Sequence, residues 1–218
     1  MPSYIELDKQ GSFPASSDVG KLILGFNNDG SLQATDNNGQ SVGVVGAPYK
    51  VYTALLTQNG GNSSAAINNG TLTIGVTYEI TDYVAGDDFT NVGAPSNENG
   101  VKFVATGTDP TNYSNGSELF YNLGAPVVTV LENTIGNIWF TYSNVGRYLI
   151  NNSSGLFTSQ KTFSTFTNSN NGDVEGGIIS ISMINTNTTE ISLQTSGGGS
   201  FADDVITYGM PIEIRVYN

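Results

Sequence analysis

Residues 21–45 read KLILGFNNDGSLQATDNNGQSVGVV, three short runs of strand-forming residues parted by Asn-Asn-Asp-Gly and Asn-Asn-Gly. This punctuation restricts the fold more than any other feature of the chain. Asn, Asp and Gly tolerate the positive φ that tight turns between twisted strands demand, so each break predicts a reversal rather than a helix. The stretch therefore predicts a three-stranded meander. Ahead of it, residues 3–9 predict a further strand and residues 11–17 (GSFPASS) a loop.

The same rhythm continues to the C-terminus. Strands are expected at 49–58 (YKVYTALLTQ), 71–84 (TLTIGVTYEITDYV), 100–108 and 117–122, and in a series of short runs from 126 to 218. In the second of these, Ile74, Val76, Tyr78 and Ile80 share one parity, which alternation assigns to one face of a strand. In the last, Ile212, Ile214 and Val216 oppose Glu213, Arg215 and Tyr217. Residues 59–70 (NGGNSSAAINNG) read as a polar loop. No segment carries an amphipathic helical period, and GLFTSQKTF at 155–163 is too rich in Thr and Phe to prefer helix. The expectation is an all-β chain: a β-sandwich or jelly-roll-like domain, a small β module between about 71 and 121, and the N-terminal meander. Gly46-Ala47-Pro48 marks a boundary near residue 47, since the proline ends the preceding pairing.

What the chain lacks bounds its chemistry. It has no histidine and no cysteine. A Ser-His-Asp triad, a thiolate nucleophile, HExxH zinc sites and His-based iron or copper centres are all excluded. The formal net charge of −12, with 7 Lys and Arg, opposes binding to a phosphate backbone, so nucleic acid is not an expected partner. No apolar run approaches the ~18 residues that span a bilayer, and residues 1–20 lack the basic and apolar regions of a secretory signal. Charged residues make up 12% of the chain, against roughly 25% in ordinary domains, so solubility rests on neutral polar side chains.

The one concentrated acidic feature is YVAGDDFTNVGA at 83–94. Asp87 and Asp88 are expected to turn and cap a surface loop anchored by Phe89 and Val92. A second reading makes Asp82, Asp87 and Asp88, with Glu98 and backbone carbonyls as further donors, ligands of Ca²⁺, a cation that favours hard oxygen donors, although the spacing matches no EF-hand. A third pairs two of Asp87, Asp88, Glu118, Asp203 and Asp204 for glycoside hydrolysis, which needs carboxylates roughly 5 to 9.5 Å apart. Sequence offers no reason to pair any two of these, and no catalytic residue is assigned. For a glycan or receptor, the loop candidates are Tyr113, Asn115, Asn152 and Ser153. Trp139, Tyr121, Phe157 and Tyr208 are further aromatics able to stack on sugars, with Trp139 expected in the core. Asn115-Gly-Ser and Asn152-Ser-Ser also match the N-glycosylation pattern, as chance provides in so Asn-rich a chain.

Several long phrases carry a resemblance. YKVYTALLTQ (49–58), VVTVLENTIGNIWFTYSNVGRYLINNSSGLFTSQKTF (127–163) and IEIRVYN (212–218) resemble segments of virion structural proteins of tailed bacteriophages, especially phages of Bacteroidetes and marine bacteria. GVTYEITDYVAGDDFTNVGAPSNENGVKFVATGTDPTNYSNGSELF (75–120) is similar to an exchangeable module of phage tail, fibre and other virion proteins. The resemblance covers most of 49–218. In similar shorter sequences the 49–58 strand runs almost directly into the 127–133 strand. This implies a discontinuous sandwich, 48–66 plus 123–218, with 67–122 inserted. The 20–39 phrase resembles N-terminal attachment segments of fibre-like proteins, which gives 1–47 an attachment role.

What the resemblance implies is a non-enzymatic virion surface protein, expected on the capsid in preference to the tail as a head fibre or decoration protein. It would be a homotrimer that contacts other virion proteins through 1–47 and adheres to host cells or glycans. A tail-associated receptor-binding protein and a carboxylate-dependent glycan depolymerase are the alternatives. No cofactor is expected beyond the Ca²⁺ already considered.

Overall fold

The computed structural model describes residues 23–26, 32–35, 41–45, 49–58, 63–166, 180–182, 189–197, 200–201, 203, 206 and 209–217. The chain divides into two compact units, 1–49 and 50–218. The first holds β1 (Ile23–Phe26), β2 (Leu32–Thr35) and β3 (Ser41–Val45), paired antiparallel in the order β1-β2-β3. This is the meander that the Asn- and Gly-rich breaks predict. The strand expected at 3–9 and the loop at 11–17 lie outside the described residues.

The second unit is a β-sandwich-like body with a third sheet set into it. One sheet runs β12 (Thr162–Phe166), β17 (Met210–Tyr217), β4 (Tyr49–Thr57), β9 (Val127–Asn133). Its partner runs β10 (Ile138–Asn144), β11 (Arg147–Asn152), β14 (Glu190–Gln194), β13 (Ser180–Ser182). Alternation explains the packing. Tyr52, Ala54 and Leu56 of β4 and Ile212, Ile214 and Val216 of β17 are buried together with Phe140, Tyr148, Ile150, Ile191 and Leu193 of the other sheet. Each such side chain withdrawn from water contributes about 1.5–3 kcal/mol before the entropy of ordering is counted. A two-strand ribbon, β15 (Ser196–Gly197) with β16 (Ser200–Phe201), lies beyond β14.

β4 pairs with β9, yet the chain between them completes another sheet, ordered β5 (Ser64–Ile67), β8 (Glu118–Asn122), β6 (Thr77–Asp82), β7 (Lys102–Val104). Its core contains Tyr78, Ile80, Phe89, Val92, Phe103 and Leu119. Two sequence expectations change here. Residues 64–67, read as loop, form β5 because β8 supplies a pairing edge that composition does not reveal. The single face assigned to Ile74, Val76, Tyr78 and Ile80 also breaks. Ile74 is 56% exposed and lies ahead of β6, because Gly75 turns the chain at φ +85°.

That glycine also joins the two bodies. Val128 of β9 donates its N–H to the Gly75 carbonyl at 2.9 Å, and a Cβ on Gly75 would lie 2.3 Å from the Val128 carbonyl oxygen. Further along the seam, the Phe140 N–H donates to Thr77 Oγ1 (3.1 Å) and Asn137 Nδ2 to the Lys102 carbonyl (2.9 Å). Val104 of β7 sits in the sandwich core itself.

Candidate functional site

The acidic pair organises the irregular segments between β6 and β8, on either side of β7. Asp87 is buried, and its carboxylate is met from several directions. Oδ1 accepts from the backbone N–H groups of Ser114 (2.9 Å) and Asn115 (3.0 Å) and from Asn115 Nδ2 (3.0 Å), while Oδ2 accepts from the Ser117 N–H (3.0 Å). Burial pushes the Asp87 carboxyl upward. The hydrogen bonds from Asn115, Ser117 and Ser114 outweigh it and hold the group below its ordinary value. Irregular backbone with no strand partner needs such acceptors, and a charged oxygen makes the stronger bond.

Asp88 performs the same task nearer solvent. Its Oδ1 accepts from Asn97 Nδ2 (2.9 Å), the Thr90 N–H (3.0 Å) and Thr90 Oγ1 (2.7 Å). These bonds, Asn97 first, lower its pKa to about 2. Asn97 in turn accepts from the Phe89 N–H (2.9 Å), and Phe89 and Val92 are buried beneath the loop as expected. Asp82, the third proposed Ca²⁺ ligand, is exposed at the end of β6, opposite Glu118. Asp87 and Asp88 are thus neighbours in one loop, but among the described residues no three acidic side chains gather into a metal-binding group.

Of the loop residues predicted to meet a glycan, Tyr113 requires correction. Its ring is buried edge-on to Phe89, with centroids 5.0 Å apart, and its hydroxyl donates to the Ile67 carbonyl. Burial raises its pKa to about 12. It is a core residue, unavailable for stacking on a sugar. Asn115 is exposed but committed to Asp87. Asn152 is buried, its Oδ1 accepting from the N–H groups of Ser154 (3.0 Å) and Leu156 (3.1 Å), so it turns the chain after β11. Ser153 alone of the four is exposed at the rim of a cleft. Phe157 is fully buried, Tyr121 is half-buried against the module core, and Tyr208 lies outside the described residues.

Asp203, another candidate for hydrolysis, is likewise a clasp. It accepts from the Tyr142 hydroxyl (2.9 Å) and the Gly146 N–H (2.8 Å), while the Tyr148 hydroxyl lies 3.2 Å away and donates to the closer Gln58 Oε1 (2.8 Å). Glu118 is exposed and accepts from Thr81 Oγ1 at 3.0 Å, and Asp204 lies outside the described residues.

Clefts lie along the seam between module and sandwich. One cleft, of about 340 Å³, is lined by Pro95, Ser96 and Lys102 from the module side and by Asn137, Trp139 and Ser153 from the sandwich side. A second, of about 440 Å³, shares Pro95 and Asn137 and continues past Val104, Thr106 and Val130 to Tyr52. Trp139 lies between the buried Ile138 and Phe140 on β10, is half-buried, packs against the edge of the sandwich core and lines the cleft. Lys102, Ser96 and Asn137 carry no sequence signal, because only the seam brings 95–102 against β10.

Fold and site together define an all-β, sandwich-like protein in which Asp87, Asp88 and Asp203 brace loops and clefts lie along a seam between sheets. No protein-family model, curated protein or solved structure matches the chain.

Proposed function

We propose that this chain is a non-enzymatic surface protein of a tailed-phage particle, a capsid-associated fibre or decoration subunit with an auxiliary part in adhesion. Residues 1–47 attach it to the particle. The discontinuous sandwich, 48–66 plus 123–218, carries the 67–122 module as its display element.

The observation that carries the non-enzymatic reading is the fate of the carboxylates. Asp87 and Asp88 each accept three or more hydrogen bonds from the fold, and Asp203 accepts two. A general acid near neutral pH needs a raised pKa and a proton to give, whereas Asp88 stands at about 2 and Asp87 is also lowered. The phage assignment itself rests on the sequence resemblance. A homotrimer accords with the edges of the sandwich: Leu131 on edge strand β9 is 61% exposed and Phe163 on edge strand β12 is 51% exposed, and copies packed side by side would cover such edges.

Reconstruction of the native particle tests this directly. Threefold clusters of this chain's density on the shell are the expected result, and a 48–218 truncation should fail to incorporate. Density at the tail tip would make host recognition the primary role. Release of new reducing ends from host polysaccharide, abolished by Asp87→Ala, would overturn the non-enzymatic reading.

A further inference from the structure

We infer that the cleft at Trp139 is a binding site for an uncharged, hydroxyl-rich saccharide. The inference rests on the adhesive role proposed above and names its site and ligand class.

Three features converge. First, Trp139 is half-buried at the cleft, and no described residue accepts from its indole N–H. A large aromatic held by β10 offers a rigid apolar face with one polar handle, suited to the C–H face of a pyranose ring. Second, the surrounding polar groups are neutral hydrogen-bonding groups: the hydroxyls of Ser96 and Ser153 and the carboxamide of Asn137. Asn137 is fixed by its bond to the Lys102 carbonyl, so its remaining carboxamide oxygen is pre-oriented. Third, the one cation on the rim is neutralised. Lys102 Nζ lies 3.0 Å from Glu79 Oε1, and the chain carries a net charge of −12. An acidic glycan would find no uncompensated positive charge here and a repulsive long-range field. The continuation of the groove past Pro95 and Asn137 toward Thr106 and Asn133 gives room for more than one ring.

Trp139 is the only tryptophan in the chain, so tryptophan emission, excited selectively over the 11 tyrosines, reports on this cleft. The full-length protein is titrated with maltohexaose, mannohexaose and cellohexaose, and with a hyaluronan hexasaccharide as acidic control, to about 10 mM. Calorimetry runs in parallel, and sedimentation checks self-association. The expected result is a saturable emission change with at least one neutral probe. Affinity should fall about tenfold or more in Trp139→Ala by calorimetry. It should fall likewise in Ser153→Met, an exposed rim substitution that retains the fluorophore and spares the fold.

Several results would overturn the inference: no binding of any neutral probe, binding undiminished in both variants, or binding of the acidic probe alone. Concentration-dependent self-association that buries Trp139 would do so too, by giving the cleft to a second copy. Failure here leaves the particle location untouched, and absence of the chain from particles leaves the titration untouched.

Discussion

The sandwich and the irregular segments of 83–117 on either side of β7 meet the same requirement by different means. In the sandwich, backbone N–H and C=O groups pair in ladders, and apolar alternation decides which side chains face inward. In the irregular segments, side chains stand in for strands: Asp87 gathers the 114–117 backbone, Asn97 bridges Phe89 and Asp88, and Asn91 links Asp109 and Thr111. A carboxamide presents both a donor and an acceptor, which makes it a short substitute for a peptide group. The abundance of Asn is therefore partly structural, and the acidic pair is a hub of the same kind with stronger bonds.

That contrast can be broken at its strongest point by emptying each core. Phe140→Ala in the sandwich and Phe103→Ala in the module should each cost about 3–5 kcal/mol in denaturant unfolding, since both rings are fully buried. Because Val104 joins the sandwich core, both variants should keep one transition. A separate, early transition in Phe103→Ala would mean that the module melts alone.

Removing the loop hub comes next. Asp87→Ala strands the N–H groups of Ser114, Asn115 and Ser117, and a loss of about 2–4 kcal/mol is expected, with proteolysis sharpened within 83–117. A loss below about 0.5 kcal/mol, the scale of ordinary surface substitutions, would show that the loop is held by its apolar anchors instead. The seam is tested by Gly75→Ala, where a left-handed φ and the close Val128 carbonyl oppose any side chain. About 1–3 kcal/mol should be lost, visible as a lower melting temperature.

The smallest effect concerns Asp88, which is more exposed. Its pKa falls from 3.8 to about 2 on folding, so its contribution is complete above pH about 4 and disappears as pH drops through about 2. Asp88→Asn should flatten that part of the acid titration by lowering neutral-pH stability slightly, toward the level the unaltered protein reaches at low pH. Chelation with EDTA should leave the melting curve of the unaltered protein in place. A clear fall would reassign the loop to cation binding, because a ligand bound only to the folded state raises apparent stability.

Much of this organisation was legible in the chain. The Asn- and Gly-rich breaks marked the meander, and the parity of Ile212, Ile214 and Val216 set the buried face of β17. The capping role of Asp87 and Asp88 could be read from residue type. Where the reading failed, the missing information was non-local. Ser64–Ile67 becomes a strand only because β8 lies beside it, and Tyr113 looks like a loop aromatic until Phe89 covers it. Ile74 leaves its expected face because a glycine one residue on turns the backbone.

The sequence by itself determined the secondary-structure class, since turn chemistry and side-chain parity act over a few residues. It also set the exclusion of His- and Cys-based catalysis, because absent residues supply no chemistry. Only the tertiary structure decided that Lys102, Asn137, Trp139 and Ser153 share one cleft. The physical reason is that the cleft is made by one sheet docking against another, which brings Lys102 against Asn137, 35 positions on, through packing that no local pattern encodes.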